Sequence, residues 1–209
     1  MPALTLYVDA AFTSPWAMSA YIALIEKGLP FDLKTVDLDT GEQTQAPFRE
    51  LGLTGRVPTL VHGDFVLAES SAIIEYLEDS FPETTVMPIE LRQRARCRQV
   101  QAWIRYDLQA LRAERPTTVI FYCPVDDALS AAGQAAADRL IRIAGRLIDG
   151  ANLFGDWSIA DPELALTIFR LAANGDPVPA RLRAYAEAQW QRPSVQQWVA
   201  LSRQRQTVS

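Results

Sequence analysis

Leu4-Thr5-Leu6-Tyr7-Val8, then Ser14-Pro15-Trp16 heading a run to Lys27-Gly28, then Phe31 to Val36: this opening stretch decides the fold. Leu4, Leu6 and Val8 alternate with Thr5 and Tyr7, the period of a half-buried strand. From Pro15 the period lengthens. Met18, Tyr21, Ile22 and Ile25 share one broad helical face, and Gly28 closes the helix just past its end. Phe31 to Val36 reads as a second strand, and the order strand, helix, strand predicts a parallel βαβ crossover.

Working outward, residues 41–55 are polar with scattered glycine and predict a short irregular helix and loop. Thr59-Leu60-Val61 and Phe65-Val66-Leu67 flank His62-Gly63-Asp64, whose Gly and Asp are turn formers, so a hairpin is expected. Ser70 to Ser80 returns to helical spacing, with Ile73, Ile74, Leu77 and Phe81 on one face. Residues 1–81 thus read as an α/β domain of order βαβαββα, the pattern of a thioredoxin-like domain. Residues 82–90, with Pro82 and Pro88 and no periodicity, read as a linker. Residues 91–209 read as all-helical. There Leu140, Ile143, Ala144, Leu147 and Ile148 form an amphipathic stripe, and Pro116, Pro124, the 174–179 segment and Pro193 punctuate the rest.

Bulk properties narrow the function. The 209 residues are 49% hydrophobic and 22% charged, enough for a real core without metal or disulfide staples. A net charge of −5 argues against a general nucleic-acid binder. No apolar run approaches the roughly 18 residues of a membrane span, and the N-terminus lacks the basic region of a secretory signal. Cys97 and Cys123 form no CxxC, so a reducing cytoplasm is the expected location and disulfide exchange a poor candidate activity.

Three features could carry chemistry. Ser14-Pro15 reads as a helix start, with Ser at the N-cap and Pro at the first helical position. Its plain meaning is a capped helix. Its sharper meaning is an anion site, because the helix end is electropositive and a hydroxyl there can donate to a sulfur anion. Val57-Pro58 either opens a strand with a trans bond or, as a cis bond, turns the Val57 backbone outward to pair with an extended peptide. At Glu69-Ser70, Ser70 is either a plain N-cap beside a solvated acid, or the two residues bind the carboxylate and ammonium of an amino-acid head group.

Taken in order, these features resemble the glutathione transferase family, and the resemblance spans nearly the whole chain. Glu69-Ser70-Ser71-Ala72-Ile73-Ile74-Glu75-Tyr76-Leu77 matches its E-S-x-A-I-x-x-Y-L signature. Ser158-Ile159-Ala160-Asp161 matches its buried capping box, with Trp157 as half of a staple. Arg192-Pro193-Ser194-Val195 with Trp198 matches its final helix. The chain looks most like bacterial members with a Ser-Pro opening. The resemblance implies a thioredoxin-like domain that binds glutathione, and an all-helical domain that supplies most of the second-substrate pocket. It implies a cytosolic, homodimeric transferase in detoxification or stress defence: glutathione as co-substrate, an electrophile or peroxide as second substrate, no permanent cofactor and no metal.

By the same resemblance Ser14 stabilises the thiolate, with Thr13 the alternative, since several members place the hydroxyl two residues before the proline. Val57 pairs with the cysteinyl unit, Glu69 and Ser70 hold the γ-glutamyl end, and Arg56 with Gln43 lies near the glycyl carboxylate. Trp16, Tyr106, Arg112 and Phe121 are the candidates for the second-substrate pocket. Rival readings are a glutathione-dependent peroxidase or isomerase, or a non-catalytic binding or protein-interaction module on the same fold. Pro162 removes an amide that would bond the N-cap carbonyl, which predicts strain in that turn. Tyr7 is expected to brace the strand, and His62, the only histidine, to lie at the surface of the hairpin. The arginines at 92, 94, 96 and 98 read as a solvated face or partner surface, and Cys123 as uninvolved in catalysis.

Overall fold

The computed structural model describes residues 3–208. Its first half contains strands β1 (Leu4–Asp9), β2 (Phe31–Val36), β3 (Thr59–His62) and β4 (Phe65–Ala68), with helices α1 (Pro15–Glu26), α2 (Phe48–Leu51) and α3 (Ser70–Ser80). The sheet order is β2-β1-β3-β4. β1 and β2 pair in parallel, while β1/β3 and β3/β4 are antiparallel. This is the predicted βαβ crossover followed by a hairpin and a helix. The alternation read in β1 is real, with Leu4, Leu6 and Val8 buried.

α1 ends as expected. Leu29 N–H bonds the Leu24 carbonyl at 3.1 Å and Gly28 N–H the Ile25 carbonyl at 3.0 Å, a paired closure that turns on Gly28 at φ +65°. Open space surrounds the position of a Gly28 Cβ, so the backbone angle alone calls for glycine. The helix is less one-sided than its spacing suggests: Ala17 through Leu24 are all buried. A second cover explains this. Trp198, fully buried, meets Tyr21 with ring centroids 5.3 Å apart. Below α1, Lys27 Nζ donates to Glu78 Oε1 at 2.8 Å and to the Thr84 carbonyl, while Val86 N–H donates to the same Glu78 oxygen at 2.9 Å. Burial of both ionic side chains makes this an interior clamp.

The remaining helices are α4 (Leu91–Asp107), α5 (Gln109–Glu114), α6 (Thr118–Phe121), α7 (Ala131–Leu147), α8 (Ala160–Ala172), α9 (Ala180–Trp190) and α10 (Pro193–Val208). Of the described residues, contacts group those up to 86 with those from 197 onward as one compact unit and 87–196 as another. The second part of α10, expected within the helical domain, therefore belongs with the sheet. The cause is the seat of Trp198 against Tyr21 and Phe12.

In the second unit α8 is buried along nearly its whole length, so its polar residues need internal partners. Glu163 receives Arg105 Nη1 at 3.2 Å and Gln101 Nε2 at 3.0 Å. Asp161 accepts from Ser158 N and Oγ on one oxygen, and from Leu153 N and the Tyr185 hydroxyl on the other, at 2.8–2.9 Å. The capping box is thus one-armed: the Ser158 hydroxyl gives its hydrogen to the carboxylate rather than capping an amide. Pro162 does not leave the Ser158 carbonyl bare, because Asp161 N–H bonds it at 3.0 Å. Trp157 meets the Arg192 guanidinium, 3.9 Å from its ring centre, so the two C-terminal motifs touch each other.

Candidate functional site

The sheet register brings the N-terminal motifs together. β1/β3 pairing ends at Tyr7↔Thr59 and β3/β4 pairing at Thr59↔Ala68. Continuing each register, Asp9, Val57 and Ser70 leave the sheet at the same end. Both α1 and α3 begin there, so two electropositive helix ends flank one edge.

At the first helix end, Ser14 is the N-cap, its Oγ accepting from Ala17 N–H at 3.2 Å, with Pro15 in the first turn. An oxygen that accepts from the helix leaves its own hydrogen for a partner outside it. Thr13 is placed differently: its hydroxyl lies 3.2 Å from Asp9 Oδ2, to which it donates. Asp9 is the residue that sequence reading missed. The same Oδ2 accepts the amides of Thr13 at 2.7 Å and Ser14 at 3.1 Å, and the Asp9 carbonyl accepts Phe12 N–H at 3.1 Å. Burial pushes the Asp9 carboxyl above the usual carboxylate range, against the opposing pull of the Thr13 and Ser14 donors.

Val57 precedes β3 and stays outside its pairing, and the Val57-Pro58 bond is cis. At the second helix end the N-cap is Glu69, not Ser70. Ser70 is the buried first residue of α3, while Glu69 is exposed and sits at φ +71°. Such an angle on a residue with a side chain is a strained conformation that functional sites tend to hold. No glycine signals it in the sequence, so residue preference points one position too far, to Ser70.

Gln43 and Arg56 line one cavity of about 520 Å³, together with Arg49, Leu53 and Gly55. Gly55, at φ +57°, lets this loop close on itself: a Cβ there would lie 3.3 Å from the Gln43 carbonyl. Arg49 adds a second guanidinium that the sequence reading did not single out. The opposite end of the sheet holds another cavity, about 450 Å³, lined by Leu4, Leu29, Phe31 and Phe81.

The candidate second-substrate residues divide between the two units, Trp16 in the first and Tyr106, Arg112 and Phe121 in the second. Trp16 is half-buried in the first turn of α1, next to the Ser14 cap. Tyr106 is 79% exposed near the end of α4. Arg112 donates Nη1 to the Ile104 and Arg105 carbonyls, both at 2.7 Å, closing the end of that helix. Phe121 packs against Trp190 with centroids 6.1 Å apart.

Among the remaining residues, His62 is half-buried rather than fully exposed, bonded through Nδ1 to the Tyr76 hydroxyl at 2.7 Å and packed on Phe81. Tyr7 braces as expected, against Phe48 and Lys34. Arg92, Arg96 and Arg98 are exposed along α4. Cys123 is exposed, while burial beside Glu163 pushes the Cys97 thiol up to about 12. Among the described residues no helix is long and apolar enough to cross a membrane.

Comparison with known proteins gives a consistent likeness. The model described as "Glutathione S-transferase, N-terminal domain" matches residues 13–80, and "Glutathione S-transferase, C-terminal domain" matches residues 90–204. Glutathione S-transferase 1 of Dianthus caryophyllus is 41% identical over 109 residues, covering 52% of this chain and 48% of that protein. The chain thus spans about half the length of that relative. Glutathione S-transferase Z1 of Arabidopsis thaliana is 29% identical over 177 residues, 78% of each protein. Among solved structures, a Burkholderia glutathione transferase homolog with bound glutathione is 45% identical, with a TM-score of 0.81, covering 97% of this chain and 99% of that one.

Proposed function

Because this chain belongs to the glutathione S-transferase family, we propose that it binds glutathione at the sheet edge where Asp9, Val57 and Ser70 emerge, and holds the thiol ionised against the Ser14 hydroxyl. The observation that carries this reading is the state of the two hydroxyls. Ser14 accepts from its helix and keeps a hydrogen to donate, whereas the Thr13 hydroxyl is given to Asp9. A serine here need not attack anything; it makes a borrowed sulfur more acidic.

Each remaining part of the tripeptide meets a matching group. The Val57 backbone, outside the strand ladder, pairs with the extended cysteinyl unit. Glu69 takes the γ-glutamyl ammonium, and the α3 end at Ser70 takes its carboxylate. Arg49, Arg56 and Gln43 line the cavity for the glycyl carboxylate, where guanidinium forks suit a planar anion. The thiolate then attacks an electrophilic carbon, forming a thioether as the leaving group departs with the bonding electrons. Trp16, two residues after Ser14 in the first turn of α1, is a candidate to contact the electrophile.

The test is addition of glutathione at neutral pH, followed by calorimetry and by the ultraviolet absorbance of thiolate. Binding with a new thiolate band is expected, as is turnover of a chlorinated aromatic. Binding without that band means a non-catalytic module. Turnover of a hydroperoxide but not of the aromatic reassigns the same thiolate to peroxide reduction, and absence of binding refutes the reading.

A further inference from the structure

We propose that Asp9 is a positioning residue for this thiolate site: its carboxylate gathers the Thr13 and Ser14 amides and the Thr13 hydroxyl, leaving Ser14 as the donor to sulfur. The proposal rests on the assignment of Ser14 given above and extends it to the device that presents Ser14.

Asp9 is the last residue of β1 and only 2% exposed. Its main-chain carbonyl takes the Phe12 amide, and its Oδ2 takes the next two amides and one hydroxyl. Three consecutive residues are thereby turned toward one strand end. Phe12 permits the reversal at φ +53°, and its ring is held edge-on against Trp198, with centroids 5.3 Å apart. A helix start alone does not require any of this, since Ser14 already caps α1 through Ala17 N–H.

Burying a carboxylate is costly unless it is well bonded, and among the described residues Oδ1 has no hydrogen-bond partner. Hydrogen bonds from residues 13 and 14, with no charged side chain, oppose the effect of burial on Asp9. What the buried acid accomplishes is selection among donors. Amides of residues 13 and 14 that could have pointed at an anion point inward instead, and the neighbouring hydroxyl is occupied. Of the donors on residues 13 and 14, the Ser14 hydroxyl is the one left for a sulfur at this helix end.

The geometry also supplies a conservative variant. Both the amides and the hydroxyl bond Oδ2, and among the described residues Oδ1 has no hydrogen-bond partner, so Asp9→Asn can keep a carbonyl oxygen at the bonded position. The experiment measures the pKa of enzyme-bound glutathione by thiolate absorbance in the parent, D9A, D9N, S14A and D9A/S14A proteins, with thermal melting alongside. D9A should raise the bound thiol's pKa so that the ionised fraction at neutral pH falls several-fold, and D9N should restore most of it. In the S14A background D9A should add nothing, because Asp9 acts through Ser14. A merely structural role would lower the melting temperature without this dependence on residue 14. D9S, which keeps a small oxygen acceptor, carries the test if D9A does not fold, with an intermediate rise expected.

An unaltered thiol pKa in D9A or D9S refutes the proposal, as does a D9A shift that persists undiminished in S14A. A parent protein that binds glutathione without ionising it refutes the Ser14 reading itself. A normal parent and a defective S14A beside an unaffected D9A refute only the role of Asp9.

Discussion

Replacing Ser14 tests the site most directly, because its oxygen has two separable duties. Toward the helix it accepts from Ala17 N–H at 3.2 Å. Toward the ligand, on the proposed reading, it supplies a hydrogen bond to a charged acceptor, worth about 1.5–3 kcal/mol. That energy corresponds to roughly 1–2 pKa units. A thiol near pKa 8.5 is about 3% ionised at pH 7; held two units lower it is about 75% ionised. S14A should therefore lower kcat/KM at pH 7 by up to about 25-fold, with little change in glutathione affinity. The defect should shrink as pH rises past the free thiol's pKa, where ionisation no longer needs help. Loss of the cap should cost about 1 kcal/mol, or about 2–4 °C in Tm for a chain of this size. S14G separates the duties, since Gly at an N-cap costs only a few tenths of a kcal/mol relative to Ser. It should match S14A in thiol pKa yet melt close to the parent. S14T should recover ionisation, and T13A, which removes only the 3.2 Å bond to Asp9, should shift the thiol by less than half of the S14A effect. An S14A protein with a parent-like pH profile, or a T13A protein with the larger shift, would overturn the assignment.

Three further outcomes follow from individual contacts. R49A and R56A should each raise KM for glutathione several-fold while leaving the bound thiol's pKa in place; a shifted thiol with unchanged KM would remove them from the glycyl end. K27M strands the buried Glu78 carboxylate and should cost about 3–5 kcal/mol in urea unfolding, whereas a cost below about 1 kcal/mol would mean the clamp is not an interior ion pair. In the native protein a thiol reagent should label Cys123 alone, and raising pH from about 7 to about 9 should not recruit Cys97, whose ionisation lies far above that range; labelling of both thiols without unfolding would contradict its burial.

What the sequence disclosed depended on how local the signal was. The β1 alternation, the Ser14-Pro15 start, the Gly28 stop and the Gly63-Asp64 hairpin are short-range patterns, and each appears where it was read. Glu69 was missed as a cap because side-chain preference favours Ser70 and says nothing about the sign of φ. Asp9 was invisible for a different reason: its donors lie four and five residues on, and reach it only because Phe12 reverses the chain. The return of α10 to the sheet unit depends on Trp198 meeting Phe12 and Tyr21 across most of the chain. Arg112 is a pocket candidate from its place at the front of the helical domain; its bonds to the Ile104 and Arg105 carbonyls, which close the end of α4, are contacts that no local pattern announces.

The site also resolves an apparent electrostatic mismatch. Glutathione with its thiol ionised carries two carboxylates, a thiolate and a single ammonium, yet the protein's net charge is −5. Net charge governs solubility and long-range encounter, whereas binding responds to the field within roughly a Debye length. At this sheet edge the local balance differs from the total. The α1 and α3 starts present positive helix ends, and Arg49 and Arg56 add two cations at the Gln43 cavity. On the proposed binding mode Glu69 matches the ligand's only cation, and Asp9 accepts three donors on one oxygen. An acidic protein can thus keep an anion-receptive edge, provided that its buried acid is turned inward by the loop it organises.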